Sequence, residues 1–497
     1  MHLAAGGRWR AVASLVFVVG FGLRIGTVLG SRGGAFGNFG YDPGVYYAAS
    51  DALIHGRLPY RDFVLLHPPV QMLALTPFAV LGRLTTDHAG FVVANTAFAA
   101  LGALNATLIV AVARRMGMSL AAAALGGLFY AVWYGAVTAE ISARLEPLGT
   151  FAFLCGVFAL TAEDVSRRRP LVLAGAALGV AVSTKVWWIV PLLVVLAWRL
   201  ESPTTRRGII PLAAGAAAAI TVINLPFFVL APGRMWRMVV TDQLHRPTNT
   251  QALDRLDRLT SLHAAFPQLS RSGELVALAA IAALIAAVGW AAWRWRPGRM
   301  LVAIAAAQVV VLMASPSYFA FYSGYPAAAL SFVVAAAAQS ARGTVSAGRL
   351  GTVAAGLTVT LATALTGVAL LVRPINQVIP LPARELAKQL TGVHCLMADS
   401  PMALIALNRL SSDLAAGCPN WIDVTGRTYD ADAPTGRHTG RLQNAKWQVD
   451  VRRYLLSGDA VIVIRGATGL SPATARLIRR LPVQARAGGY VVHRTRP

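Results

Sequence analysis

Long apolar runs broken by short polar stretches set the rhythm of this chain. Ala11–Gly30, Phe91–Ala113, Ile209–Leu230, Leu275–Trp293 and Gly351–Val372 each approach the roughly 20 apolar residues a helix needs to cross a bilayer. The intervals 11–113, 119–162, 209–293 and 300–339 each divide into two apolar runs around a polar loop. The interval 170–198 is apolar except at Ser183-Thr184-Lys185, which reads as a turn between two short helices with Lys185 at its outer end. One tilted span with a snorkelling lysine is the alternative. Met1–Gly30 has the outline of a signal peptide, but its apolar core is long and no small-residue cleavage site stands out, so it reads as a first span.

Beyond residue 372 the pattern changes. Charge density rises, turn residues return, and His394–Asp399, Ala460–Arg465 and Gly489–Val492 read as strands. Ala383–Leu390, Pro401–Leu410 and Pro472–Leu481 read as helices. Strands alternating with helices predict a small α/β domain over 373–497, behind an α-helical polytopic membrane domain over 1–372. Within that domain, outer loops at 31–90, 231–274 and 315–326 carry material beyond a turn.

Composition sharpens this. Only 13% of the residues are charged and 56% are hydrophobic, against about 25% charged in a soluble domain. The formal net charge of +24 would suggest nucleic acid in a soluble protein. Here the basic residues sit in short loops, where the positive-inside rule places them, and no zinc-finger, RNP-type or helix-turn-helix pattern occurs. Arg8/Arg10, Arg114/Arg115, Arg167–Arg169, Arg199/Arg206/Arg207, Arg294/Arg296/Arg299 and Arg342/Arg349 are all expected in the cytoplasm. An even number of crossings then joins each neighbouring pair, and the last run crosses outward. That gives about eleven spans, a cytoplasmic N-terminus and an extracytoplasmic C-terminal domain in the plasma membrane. Of three cysteines, Cys155 lies in a span, while Cys395 and Cys418 fall in the external domain, where an oxidising compartment permits a disulfide; two buried thiols are the alternative.

The richest chemistry follows the first span. An Asp-x3-Tyr motif (Asp42, Tyr46) leads into a helix over Val45–His55, then a Gly-x-x-Pro-Tyr-x-Asp element (Gly56 to Asp62) and a His67-Pro68-Pro69 turn before the apolar segment Val70–Leu84. Two interfacial segments of this kind would frame a cavity at the lipid–water boundary. Further along stand Arg144-Leu145-Glu146-Pro147, Thr184-Lys185 and Tyr322-Ser323-Gly324-Tyr325-Pro326.

In this combination and order, the chain resembles the GT-C superfamily of membrane glycosyltransferases. It is most similar to the branch of protein O-mannosyltransferases, bacterial aminoarabinose transferases and actinobacterial mannosyl- and arabinosyltransferases. The resemblance implies a polyprenyl-phosphate sugar donor and an inverting displacement at the outer membrane face, with a first-loop carboxylate as general base. By motif position that base is Asp42, which could instead cap the Val45–His55 helix. The aminoarabinose branch carries a second acid near this site; here Pro43 follows Asp42, and Glu146 is the candidate second acid. The leaving phosphate needs cations, for which Arg61, His67, Arg144, Lys185 and, from the later loop, Arg246 are candidates. Each has a plainer reading: an Arg61–Asp62 turn, a structural His67, an Arg144–Glu146 ion pair, a snorkelling Lys185. Tyr322 is a substrate-contact candidate or an aromatic-belt anchor. Asp51 reads as part of a solvated helix face, and Trp421 and Trp447 as a sugar-stacking surface or simply packing.

The implied partners are the polyprenyl-phosphate-sugar donor, a glycan, glycolipid or protein acceptor, and membrane lipid, with no nucleic acid. Mannose and arabinose are the favoured sugars. No metal ligand set is assigned, and the need for a divalent metal stays open. Two other classes compete: a transporter or flippase of a lipid-linked substrate, and a non-catalytic glycan-binding scaffold. Transporters place ionisable residues near the midplane and show repeat symmetry; here the charges gather at the outer boundary and the halves look unlike.

Overall fold

Apolar runs in lipid become helices because only a helix satisfies its own backbone polar groups there. In the computed structural model, which describes residues 2–31, 33–36, 40–161, 168–248, 250–340, 345–372, 381–432, 439–465 and 469–496, six helices are long and apolar enough to cross a membrane. These are Gly7–Leu29, Asp87–Arg115, Pro203–Leu230, Arg271–Arg294, Arg296–Ala314 and Leu350–Val372. A further pair, Leu120–Val132 and Tyr134–Glu140, is bent by 56°. The protein is a multi-pass membrane protein. Val70–Leu84, Leu145–Leu160 and Ala327–Ser340 are shorter apolar helices. Lys185 interrupts its run as expected: helix Arg168–Thr184 ends, one 3-10 turn covers Val186–Trp188, and helix Ile189–Trp198 follows. Of the six basic clusters, Arg167 and Arg342 lie outside the described residues.

The chain divides into two compact units. The first comprises Met1–Ser31, Thr96–Ile223 and Asn249–Gln377, the second Arg32–Asn95, Asn224–Thr248 and Val378–Pro497. The C-terminal segment thus shares a unit with most of the first outer loop. In the first unit helices pack through small residues, as lipid-embedded helices do. A Cβ on Gly175 would collide with the Leu212 carbonyl, and one on Gly215 with the Val172 carbonyl. Buried Arg255 donates to the carbonyls of Met313 (2.8 Å) and Pro316 (3.2 Å). It thereby caps the end of helix Arg296–Ala314, where carbonyls lack helical partners.

In the second unit, β1 (Leu396–Ala398), β2 (Ala460–Ile462), β3 (Val483–Ala487) and β4 (Tyr490–Arg494) form one sheet in the order β1-β2-β4-β3. β1 and β2 run parallel and the other pairs antiparallel. The helix Ala445–Leu455 covers it with Trp447, Val451, Tyr454 and Leu455, which pack against Met397 and Val461. The expected helices form at Ala383–Lys388, Pro401–Ala406 and Pro472–Arg480. Cys395 and Cys418 are joined by a disulfide.

One expectation fails here. Asp51 does not face solvent; it is 1% exposed, because helix Tyr41–Ile54 is covered all round, with Ala48, Ala49 and Ala52 fully buried. His55 Nδ1 lies 3.5 Å from its Oδ1. Burial pushes the Asp51 carboxyl up to about 8, and the charge of Asp87 adds to the effect. A raised carboxyl favours the folded state when protonated. Stability therefore falls as pH rises from about 4, by up to about 1.4 kcal/mol per pH unit, and levels off above 8. Asp51→Asn is expected to flatten that decline and raise the unfolding temperature at pH 8, as thermal unfolding in detergent at several pH values would measure. An unchanged pH profile would show that Asp51 is not the titrating group.

Candidate active site

Asp42 is not a helix cap. Gly40 takes the N-cap position at φ 96°, a left-handed conformation that suits glycine, and no side chain caps the helix. Asp42 falls inside the first turn of Tyr41–Ile54, where the helix dipole favours a carboxylate. That turn is pinned by its neighbour. Tyr41 Oη donates to Asp423 Oδ1 (2.8 Å) and accepts from the Thr425 amide (2.8 Å). The Gly426 amide also donates to Asp423 Oδ1 (2.7 Å).

Asp423 is therefore the acid that accompanies Asp42 within its own unit. Burial pushes its carboxyl up, the Gly426 and Tyr41 hydrogen bonds pull it down, the charge of Asp42 pushes it up and Arg246 pulls it down. The charge of Arg246 thus acts on Asp423, with its guanidinium 5.9 Å from the Tyr429 ring. Two further arginines bound the same place. Arg465 lies 4.1 Å over the Tyr41 ring and donates to Thr425 Oγ1 (2.7 Å), and Arg441 reaches the same hydroxyl at 3.4 Å. Burial pushes Tyr41 well above the usual phenol range, so it stays a protonated donor to Asp423.

Other candidates in this unit are more structural in their contacts. Arg61 grips Asp62 through two 2.8 Å bonds, and its carbonyl accepts from Arg234 (2.6 Å). The His67 ring meets Tyr46 edge-on at 5.9 Å, and its carbonyl accepts from Tyr60 Oη (2.7 Å). Trp421 stacks on Tyr454 with ring centroids 4.4 Å apart. Trp447 is buried and donates to the Val424 carbonyl (3.0 Å). Both line a cavity of about 410 Å³ with Arg427 and Lys446.

The first unit gathers the rest of the candidates. Glu146 opens helix Leu145–Leu160, and Lys185 Nζ reaches its Oε1 at 2.9 Å, both side chains buried. The ammonium lies 4.0 Å from the Trp187 ring and 3.9 Å from the Tyr322 ring, a cation–π box. Arg144 sits 4.0 Å over Phe321, and Glu146 pairs with Lys185. Tyr325 Oη donates to the Trp187 carbonyl (2.6 Å).

The same unit holds a buried network that no sequence motif marked. Arg24, fully buried, bonds Glu140; Tyr130 donates to Glu140, and Asn105 reaches both Glu140 (3.3 Å) and the Pro147 carbonyl (2.9 Å). The signal was present, since an arginine inside an apolar run seldom lacks a role. Among the described residues no group of three or more His, Cys, Asp or Glu could hold a metal ion.

The model of glycosyltransferase family 87 matches residues 65–316, just over half of the chain. The chain belongs to this family. No curated protein gives a significant match. Among solved structures, this family 87 chain is similar to ArnT from Cupriavidus metallidurans in the apo state, at TM-score 0.62 and 19% identity, over 99% of this chain and 98% of that one. The same protein bound to undecaprenyl phosphate matches at TM-score 0.61 and 18% identity, over 100% and 99%. The Archaeoglobus fulgidus oligosaccharyltransferase matches at 0.55 and 13%, over 91% and 67%. These likenesses give the family 87 chain the GT-C membrane glycosyltransferase fold. Family membership makes it a glycosyltransferase, which removes the transporter and scaffold alternatives.

Proposed function

We propose that this glycosyltransferase takes its sugar from a polyprenyl-phosphate donor and passes it to a glycan, glycolipid or protein acceptor of the cell envelope. The observation that carries this reading is the setting of Asp42: a carboxylate on a pinned helix turn, with Arg246, Arg441 and Arg465 in the same neighbourhood. That pairing suits the reaction. Asp42 takes the proton of an acceptor hydroxyl as its oxygen attacks the anomeric carbon, and the bond from that carbon to the phosphate oxygen breaks. The departing phosphate keeps the bonding electrons and needs cations, not a general acid. One displacement inverts the anomeric carbon. The undecaprenyl phosphate held by ArnT supports the choice of donor.

The reaction is assigned to the outer face. Basic loops inside, about eleven crossings and a cytoplasmic N-terminus leave the C-terminal domain outside. Its Cys395–Cys418 disulfide supports an oxidising compartment. Mannose and arabinose are the sugars to test first. Purified protein in nanodiscs would be given polyprenyl-phosphate-mannose and polyprenyl-phosphate-arabinose in turn, with an envelope-lipid extract as acceptor, and donor consumption followed by mass spectrometry. Loss of one donor with formation of a heavier glycosylated product is expected. If polyprenyl-phosphate donors of either sugar stay intact, these sugars are ruled out; if the protein also fails to bind polyprenyl phosphate, the donor class falls too.

A further inference from the structure

We propose that the cavity of about 410 Å³ bounded by helices Arg427–Asp432 and Ala445–Leu455 is a carbohydrate subsite, which holds sugar units of the acceptor beyond the one that reacts. This rests on the reading of the protein as a transferase with a cell-envelope acceptor, and it narrows that acceptor to one that carries a glycan chain. The volume falls in the range of small-ligand sites.

The lining follows from the helix period. Lys446, Asp450 and Arg453 stand at i, i+4 and i+7 on Ala445–Leu455, along one side of that helix, with Trp447 and Tyr454 beside them. The helix Arg427–Asp432 supplies Arg427 and Asp430 at i and i+3. Trp421 comes from the stretch just after Cys418, which the disulfide ties to Cys395.

The aromatic part is fixed in place. Trp421 stacks on Tyr454 at 4.4 Å with the ring planes 6° apart, and Arg427 lies 4.9 Å over Trp421. Trp447 donates its indole N–H to the Val424 carbonyl (3.0 Å), and Tyr454 its hydroxyl to the Ala398 carbonyl (3.0 Å). Their polar atoms are thereby satisfied within the domain, and they line the cavity with ring carbon. Such a lining loses little side-chain entropy on binding.

The polar part carries both signs. Asp430 pairs with Arg427 (3.6 Å), Arg234 (3.3 Å) and Arg237, and Asp450 lies 4.0 Å from Arg453. A sugar hydroxyl both donates and accepts, so it matches a rim of carboxylates and cationic donors, while the C–H faces of the ring meet aromatic carbon. A phosphate would meet two carboxylates that repel it, and an acyl chain would strip water from the charged rim.

The cavity also borders the candidate active site through the backbone. Trp421 lines it, and Asp423, two residues on, accepts from Tyr41, the neighbour of Asp42. Two residues of extended chain span at most about 7 Å. The cavity and the turn that carries the base thus flank one short segment.

The full chain in nanodiscs would be titrated with neutral oligosaccharides of mannose, arabinose, glucose and galactose, with inorganic phosphate, and with polyprenyl phosphate. Wild type would be compared with Lys446→Ala and Asp450→Ala. Lys446 is exposed and Asp450 partly so, so both variants should fold, which their unfolding temperatures check; if one unfolds, the other decides alone. Loss of a hydrogen bond to a charged group should weaken an oligosaccharide by about tenfold or more and leave polyprenyl phosphate unaffected.

Folded variants that bind the oligosaccharide as wild type does, or wild type that binds none of the oligosaccharides, would overturn the subsite; polyprenyl-phosphate binding retained in the same samples would leave the donor reading intact. Phosphate binding that the variants weaken, with no oligosaccharide bound, would make the cavity an anion site and overturn the proposal. Wild type that binds an oligosaccharide through Lys446 and Asp450 but does not bind polyprenyl phosphate would uphold the subsite and overturn the donor reading.

Discussion

Asp42→Asn is expected to leave a folded, membrane-inserted protein whose sugar transfer has dropped by at least about a hundredfold, the range for loss of a general base. The substitution keeps the shape of the side chain and removes its basicity. The bonds of Tyr41 to Asp423 and Thr425 stay in place. Binding of polyprenyl phosphate should persist, since the phosphate is assigned to arginines. Rates of transfer measured beside polyprenyl-phosphate affinity separate the two effects. A variant with near wild-type turnover would remove Asp42 as base and move attention to Asp423.

The second large effect is on stability. Lys185→Met should destabilise the protein by about 3–5 kcal/mol, because it leaves the Glu146 carboxylate buried without its cation. Trp187 and Tyr322, which now face an ammonium at 4.0 and 3.9 Å, present the electron-rich faces of their rings and cannot replace it. The double variant Glu146→Gln/Lys185→Met removes both charges and should recover most of the loss, since the two sites are directly coupled. Thermal unfolding of the three variants and wild type in one detergent measures this. Equal unfolding temperatures for Lys185→Met and wild type would mean that the pair contributes no net stability and that water reaches Glu146.

Much of the architecture was legible because lipid imposes a simple rule on sequence. Apolar runs of about 20 residues became helices, and a break falls at Lys185, the end of the polar triplet. β1, β2 and β4 were legible as short apolar runs between turn residues. β3 was not: two of its five residues are exposed, and its sequence VQARA carries polar residues at alternate positions.

The site divides in the same way. Asp42 was legible from its place after the first span, and Glu146 and Lys185 from the cost of charge at membrane depth. The partners of the Asp42 turn were not. Tyr41 and Asp423 are 382 positions apart, and Asp423, Arg441 and Arg465 sit in turns whose local sequence says nothing about which helix they meet. Only the fold of the second unit, which joins the first outer loop to the C-terminal segment, brings them together. Arg61 shows the converse, a residue singled out by its motif whose side chain grips its own neighbour, Asp62.

The decisive measurement follows the sugar itself. Reconstituted protein would receive the same radiolabelled sugar either on polyprenyl phosphate or on a nucleotide, with acceptor lipid present and no other enzyme. Label is expected in the acceptor from the polyprenyl-phosphate donor alone, and not with Asp42→Asn. Transfer from the nucleotide sugar without any lipid-linked donor would overturn the proposed chemistry.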